Sequence, residues 1–174
     1  MFEIADYCNQ VRIEFMASAF DRERLTWLEE IGVKRHKIPN RYKSSSILNA
    51  MKETGKQIII STYPEDPFVE SELWCGTCLA AHNYKFLYCV SDYPTKLKDL
   101  HFSKIEFIDR DYDGFSDHTV GLEASMIAMS RGAQIIEKHF CLKRDNSNPD
   151  MICSIEPHEL RRLVEFARKV EEVI

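Results

Sequence analysis

Short apolar runs alternate with longer mixed stretches along the chain. Ile13–Ser18, Arg35–Pro39, Gln57–Thr62, Phe86–Ser91, Asp113–His118 and Gln134–His139 are such runs, rich in β-branched and aromatic residues. Runs this short predict strands buried on both faces; Asp113–His118 is the weakest of them. Between them the apolar positions recur at helical spacing. Asp21 is placed to cap a helix that carries Leu25, Leu28 and Ile31 on one side and stops at Gly32. Ser44 to Ser46 open a second helix, with Ile47, Leu48 and Met51 inward and Gly55 as its stop. Glu70–Ala81 and Thr119–Arg131 predict two more. Pro157 sits at the first turn of a last helix bearing Leu160, Leu163, Val164 and Phe166. A short helix is expected ahead of Ile13.

Strand–helix alternation at this spacing predicts right-handed βαβ crossovers and a parallel sheet. Six strands leave two architectures open: a doubly wound sheet, or a (β/α)8 barrel lacking two of its units. The 174 residues hold one domain without a linker or repeat. Apolar residues make up 44% and charged residues 29%, the balance of a globular chain. No apolar run approaches a membrane span, and the first residues lack the basic and apolar regions of a signal peptide, so the expected location is cytoplasmic. The net charge of −5 argues against nucleic acid as a partner.

In either architecture ligands bind at the C-terminal ends of the strands, and polar side chains gather there. In order, the ends carry Ser18; Lys37 with Asn40 and Arg41; Ser61 and Thr62; Ser91 and Asp92; Ser116, Asp117 and His118; and Glu137, Lys138 and His139. Two lysines and several hydroxyls suit a phosphorylated or carboxylated ligand. The two histidines suit a shared metal ion, with Glu137 or Asp117 behind them. The bland alternative is that strand ends are polar because they meet solvent. Six cysteines in a chain of this composition read as reduced thiols. Trp74-Cys75-Gly76-Thr77-Cys78 has the spacing of a redox pair, but it follows residues that already read as helix, not a strand.

Gly114-Phe115-Ser116-Asp117-His118-Thr119-Val120-Gly121, followed by Gly132-Ala133-Gln134-Ile135-Ile136-Glu137-Lys138-His139-Phe140, resembles the signature of the sialic acid synthase family, which includes N-acetylneuraminate synthase and spore-coat polysaccharide relatives. Ala17-Ser18-Ala19-Phe20-Asp21, Lys37-Ile38-Pro39, Ile59-Ile60-Ser61-Thr62 and Cys89-Val90-Ser91-Asp92-Tyr93-Pro94-Thr95 resemble the family's third to sixth strand ends. Asn148-Pro149-Asp150 through Ser154-Ile155-Glu156-Pro157 resembles the segment after its eighth strand. The resemblance implies an α/β fold, an incomplete TIM-type (β/α) barrel with about six parallel βα units. Residues 1–174 would be units three to eight, without the first two units and without the C-terminal antifreeze-like domain.

The resemblance also implies a reaction: phosphoenolpyruvate condenses with an N-acyl hexosamine such as N-acetylmannosamine, giving a nine-carbon 2-keto sugar acid and phosphate. It implies a divalent metal, Mn2+ or Mg2+, held by His118 and His139. Ser18, Lys37, Asn40, Ser61, Ser91 and Ser116 would hold phosphoenolpyruvate, and Glu137, Lys37, Tyr93 and Asp150 would serve the chemistry. The implied partners are these small molecules, with either self-association or a second chain supplying the missing strands. Some positions depart from the pattern. Asn40-Arg41-Tyr42 stands where the family carries Ser-Gly-Glu, Tyr63 stands where it carries glycine, and Ser91 stands where it carries asparagine. These departures favour a second reading, a noncatalytic or partner-dependent relative that keeps only the phosphate and metal half of the site.

Overall fold

The computed structural model describes residues 1–40, 46–63, 83–107, 112–145 and 147–173. The expected helix at Glu70–Ala81, the Cys75/Cys78 pair, and Arg41 and Tyr42 lie outside them. The chain divides into two compact units, one built mainly from Met1–Ser61 and the other mainly from Phe86–Ile174.

In the first unit α1 (Phe2–Gln10) precedes α2 (Arg22–Ile31), β1 (Arg35–Ile38), α3 (Ser46–Glu53) and β2 (Gln57–Thr62). The helix limits follow local chemistry. The Asp21 carboxylate accepts from the Arg24 N–H at 2.9 Å, which satisfies one of the donors left over at a helix start. Gly32 ends α2 in the left-handed region, at φ 79°. Leu25 and Leu28 are buried from α2, and Ile47, Leu48, Ala50 and Met51 from α3. β1 and β2 pair in parallel, from Arg35 opposite Gln57 to Ile38 opposite Ile60.

The expected first strand is a single bridge, Ser18 opposite Lys37. Arg12 takes a left-handed conformation (φ 61°), and the Ile13 N–H bonds back to Cys8 at the end of α1. Ile13 and Met16 are exposed, so the run has no second face to bury.

The second unit contains β3 (Tyr84–Cys89) from Phe86 onward, β4 (Gly114–Asp117), α4 (Glu123–Ser130), β5 (Ile135–Lys138), α5 (Pro149–Cys153) and α6 (Pro157–Glu171). β3 pairs β4 from Leu87 opposite Gly114 to Cys89 opposite Ser116. β4 pairs β5 from Gly114 opposite Ile135 to Asp117 opposite Lys138, all in parallel. Phe115, Tyr88, Ile105, Phe107, Ala124 and Ala128 form its main core. The Tyr88 hydroxyl donates to the Leu100 carbonyl at 2.6 Å, so this buried ring keeps its polar tip satisfied.

Gly114 is required by close approach: a Cβ there would lie 2.1 Å from the Ile135 carbonyl oxygen. α4 starts at Glu123 rather than Thr119, because Asp117 folds the intervening residues into a turn by accepting from both the N–H and the hydroxyl of Thr119. The unexpected α5 is capped by Asn148, which accepts from Met151, and opens on Pro149. A reciprocal capping box of Glu156 and Glu159 starts α6. An apolar groove of about 700 Å3 runs between β5 and α6, lined by Ile136, Phe140, Leu160, Val164, Ala167 and Val170. No helix among the described residues is long and apolar enough to cross a membrane.

Candidate functional site

The polar strand ends form two groups, one in each unit. In the first unit Lys37 is the third residue of β1 and Ser61 the fifth of β2. Both side chains are buried, and the Lys37 ammonium donates to the Ser61 hydroxyl at 2.8 Å and to the Ile38 carbonyl at 3.2 Å. Ser18 lies opposite Lys37 through its single bridge, and Asn40 follows β1 half-buried. An ammonium and two hydroxyls at parallel strand ends can hold an anionic oxygen.

In the second unit side chains alternate between the two faces of the β4–β5 ladder. Ser116 stands opposite Glu137 and donates to its carboxylate at 2.5 Å. One residue on lies Asp117 opposite Lys138, and one further are His118 and His139, just past the strands. The two imidazole rings are neighbours, with centroids 5.4 Å apart. The Tyr93 ring packs 4.2 Å from the His118 ring and meets the His139 ring edge-on at 5.8 Å. The Nδ1 of His118 lies 3.3 Å from the Val90 carbonyl oxygen and 4.0 Å from the Cys89 sulfur. A hydrogen bond to that carbonyl puts the proton on Nδ1 and leaves Nε2 as the lone-pair nitrogen.

Burial, and then the neighbouring His139, hold the His118 imidazolium below its ordinary acidity range, so the ring favours the neutral form. The Tyr93 phenol is pushed up to about 12, by burial first and then by the charges of Cys89, Asp150 and Glu137, and it stays protonated near neutral pH. Asp150 is an exposed residue of α5, and Ser91 is exposed beside Cys89, whose sulfur lies 3.7 Å from the Ser91 hydroxyl oxygen.

The structure therefore brings Lys37 to Ser61, sets Ser18 against Lys37, joins Ser116 to Glu137, and gathers His118, His139 and Tyr93. Asp150 reaches this second group through its field on Tyr93. Lys138 belongs to neither. By its place in the sequence it counts with the ligand-holding lysines, but it turns to the other face of the ladder and pairs with Asp117 at 3.0 Å. The backbone carbonyl of Val90 and the thiol of Cys89 were not expected beside His118. Only the proximity of strand ends, which a sequence does not show, brings them there.

Comparison with known proteins settles the family. The NeuB family model matches residues 1–174. The chain belongs to the NeuB family. It is 30% identical to an N,N'-diacetyllegionaminic acid synthase of Campylobacter jejuni, over 99% of this chain and 54% of that one. It is 27% identical to the enzyme of the same description from Legionella pneumophila, over 98% of this chain and 51% of that one. Its fold matches the crystal structure of an N-acetylneuraminic acid (sialic acid) synthetase from Leptospira borgpetersenii in complex with citrate. The TM-score is 0.84 at 29% identity, over 99% of this chain and 62% of that one. This NeuB-family chain spans about half the length of the curated relatives it matches, several of which are N,N'-diacetyllegionaminic acid or N-acetylneuraminate-9-phosphate synthases. Its fold is the expected incomplete TIM-type barrel.

His118 and His139 suit a divalent metal as a partial ligand set. Both are imidazoles, they are adjacent, and His118 is biased to the neutral form that binds metal. The Val90 carbonyl 3.3 Å from Nδ1 is the kind of outer contact that orients an imidazole. Among the described residues no group of three or more His, Cys, Asp or Glu is arranged to hold an ion alone.

Proposed function

We propose that this chain carries the phosphate-holding and metal-holding strand ends of a sialic acid synthase-type enzyme. The reaction is the condensation of phosphoenolpyruvate with an N-acyl hexosamine to a 2-keto sugar acid and phosphate. The observation that supports it most is the packing of His118, His139 and Tyr93 in one group beside the Ser116–Glu137 pair.

Each residue has an assigned task. Lys37 and Ser61 bind the anionic end of phosphoenolpyruvate, with Ser18 and Asn40 beside Lys37. His118 and His139 would hold a divalent ion, which would supply Lewis-acid polarisation of the sugar aldehyde. C3 of phosphoenolpyruvate forms the new bond to the aldehyde carbon, and its π electrons leave positive charge at C2. Water adds at C2 and loses one proton, which passes on to the sugar oxygen; as the C2–O bond to phosphate breaks, the remaining hydroxyl proton leaves with phosphate and the ketone forms. Glu137, held by Ser116, is the carboxylate placed to accept the proton of that water. Tyr93 remains a neutral donor and keeps solvent from one side of the imidazoles. The open edge of β5, with its apolar groove, would accept further βα units, from the same polypeptide or a second one.

Thermal unfolding with Mn2+, with and without phosphoenolpyruvate, tests the assignment. Mn2+ at about 100 times its dissociation constant stabilises by about 2.7 kcal/mol. Lys37→Met is expected to keep the Mn2+ shift and lose the further shift from phosphoenolpyruvate. His139→Ala is expected to lose the Mn2+ shift. A phosphoenolpyruvate shift that survives in Lys37→Met overturns the anion assignment.

A further inference from the structure

We propose that the buried Asp117–Lys138 ion pair is a positioning device that fixes the separation and orientation of His118 and His139; this rests on the metal-holding role assigned to those histidines. The pair sits on the opposite face of the β4–β5 ladder from the Ser116–Glu137 contact, in register one residue before each histidine. The side chain of Asp117 is fully buried and that of Lys138 is 4% exposed.

The bonds made by this pair enclose His118. The Lys138 ammonium meets the Asp117 carboxylate at 3.0 Å and donates to the Thr119 carbonyl at 2.6 Å, so it grips the residues on both sides of His118. The carboxylate in turn accepts from the Thr119 N–H at 2.8 Å, from the Thr119 hydroxyl at 2.7 Å and from Ser125 on α4. The His118 carbonyl accepts from the Thr95 N–H at 2.9 Å. The peptide unit joining His118 to Thr119 is therefore held at its oxygen by Thr95 and at its nitrogen by Asp117. Because Lys138 directly precedes His139, the same ammonium ties the backbone of one histidine to that of the other.

Taking two charges out of water is costly, and an apolar pair of similar volume packs as well or better. What an apolar pair lacks is direction. An ion pair whose remaining donors and acceptors are bonded has one register and one turn geometry, and a hydrophobic replacement tolerates several. Outer contacts of this kind set ligand orientation in metal sites, and their loss typically weakens metal binding about 10–100-fold.

The test uses the full chain, with Co2+ as the probe and its visible absorption as a report on ligand geometry. Asp117→Leu combined with Lys138→Met removes both charges together, so neither is left buried alone. This double variant is expected to unfold cooperatively, to bind Co2+ about 10–100-fold more weakly, and to show an altered Co2+ spectrum. Wild-type affinity with an unchanged spectrum in the folded double variant overturns the proposal. Should the double variant fail to fold, Ser125→Ala withdraws one bond from Asp117 without stranding a charge. A weaker Co2+ complex then supports the proposal and an unchanged one overturns it. A metal-free readout separates this proposal from the reading beneath it. Ring-to-ring nuclear Overhauser contacts between Tyr93 and His118 report the arrangement directly. Absence of Co2+ binding in the wild type removes the metal role, and these contacts then decide on the pair: their loss in the variants supports it and their retention overturns it.

Discussion

The β4–β5 ladder carries a different chemistry on each face. On one face Asp117 and Lys138 are sealed from solvent, with a carboxylate and an ammonium that meet each other and the backbone around them. On the other, Ser116 joins Glu137, and beyond them two imidazoles stand together under the ring of Tyr93. All three positions from 116 to 118 and all three from 137 to 139 are polar or charged, yet only alternate ones share the face of the histidines. The difference teaches that polarity at a strand end marks two jobs. One side chain holds the frame, and its neighbour, on the other face, presents the chemistry.

The sharpest way to break that comparison is to break the pair. Asp117→Ala leaves the Lys138 ammonium buried beside no carboxylate, and the expected loss is about 3–5 kcal/mol. Restoring apolar character at both positions together should recover most of it. Urea unfolding of the single and double variants measures both, and equal losses in the two would show that the charges themselves carry little.

Next in size is Gly114→Ala. A Cβ that would meet the Ile135 carbonyl at 2.1 Å must push β4 from β5, at a cost of about 1–3 kcal/mol. The same substitution should disturb the histidine spacing, because both faces share one ladder. Unfolding midpoints together with Co2+ affinity check this.

A smaller effect sharpens the contrast between units. His36 in the first unit is fully buried, with Nε2 3.0 Å from the Glu29 carboxylate, and burial lowers its pKa despite that neighbour. His118 in the second unit is lowered for the same first reason. In the unfolded chain both return towards 6.5, so below that pH the unfolded state binds more protons. The associated stability is present above pH 6.5 and is lost as pH falls through the folded-state values. Denaturant midpoints in a pH series should fall on the acid side, with a shallower fall in His36→Gln. A flat series contradicts it.

Much of this was legible in the sequence, for physical reasons that can be named. Gln57–Thr62 carries three successive isoleucines and Phe86–Ser91 opens on Phe86, Leu87 and Tyr88, a short apolar pattern with few uses other than a buried strand. Asp21 and Gly32 bracket α2 as their conformational preferences require. Ile13–Ser18 misled because β-branched residues mark a strand only where something covers them. Spacing places the start of α4 at Thr119, but Asp117 binds Thr119 locally, a competition between side chain and helix that spacing alone does not show. For α5, Asn148 followed by Pro149 is a capping signal present in the sequence, and only the short length of the helix hides it. At the candidate site the polar residues themselves are visible in the sequence, and their grouping into Lys37 with Ser61, Ser116 with Glu137, and the two histidines comes from the fold. Lys138 shares the polar strand ends in sequence, but the alternation of side chains along β5 sends it to the far face, against Asp117.

The most direct test of the central claim is calorimetric titration of Mn2+ into the full chain and into His118→Ala and His139→Ala. The account predicts one ion per wild-type chain and loss of that binding in either variant, with both variants still folding cooperatively. Undiminished binding of one ion to both variants would contradict it.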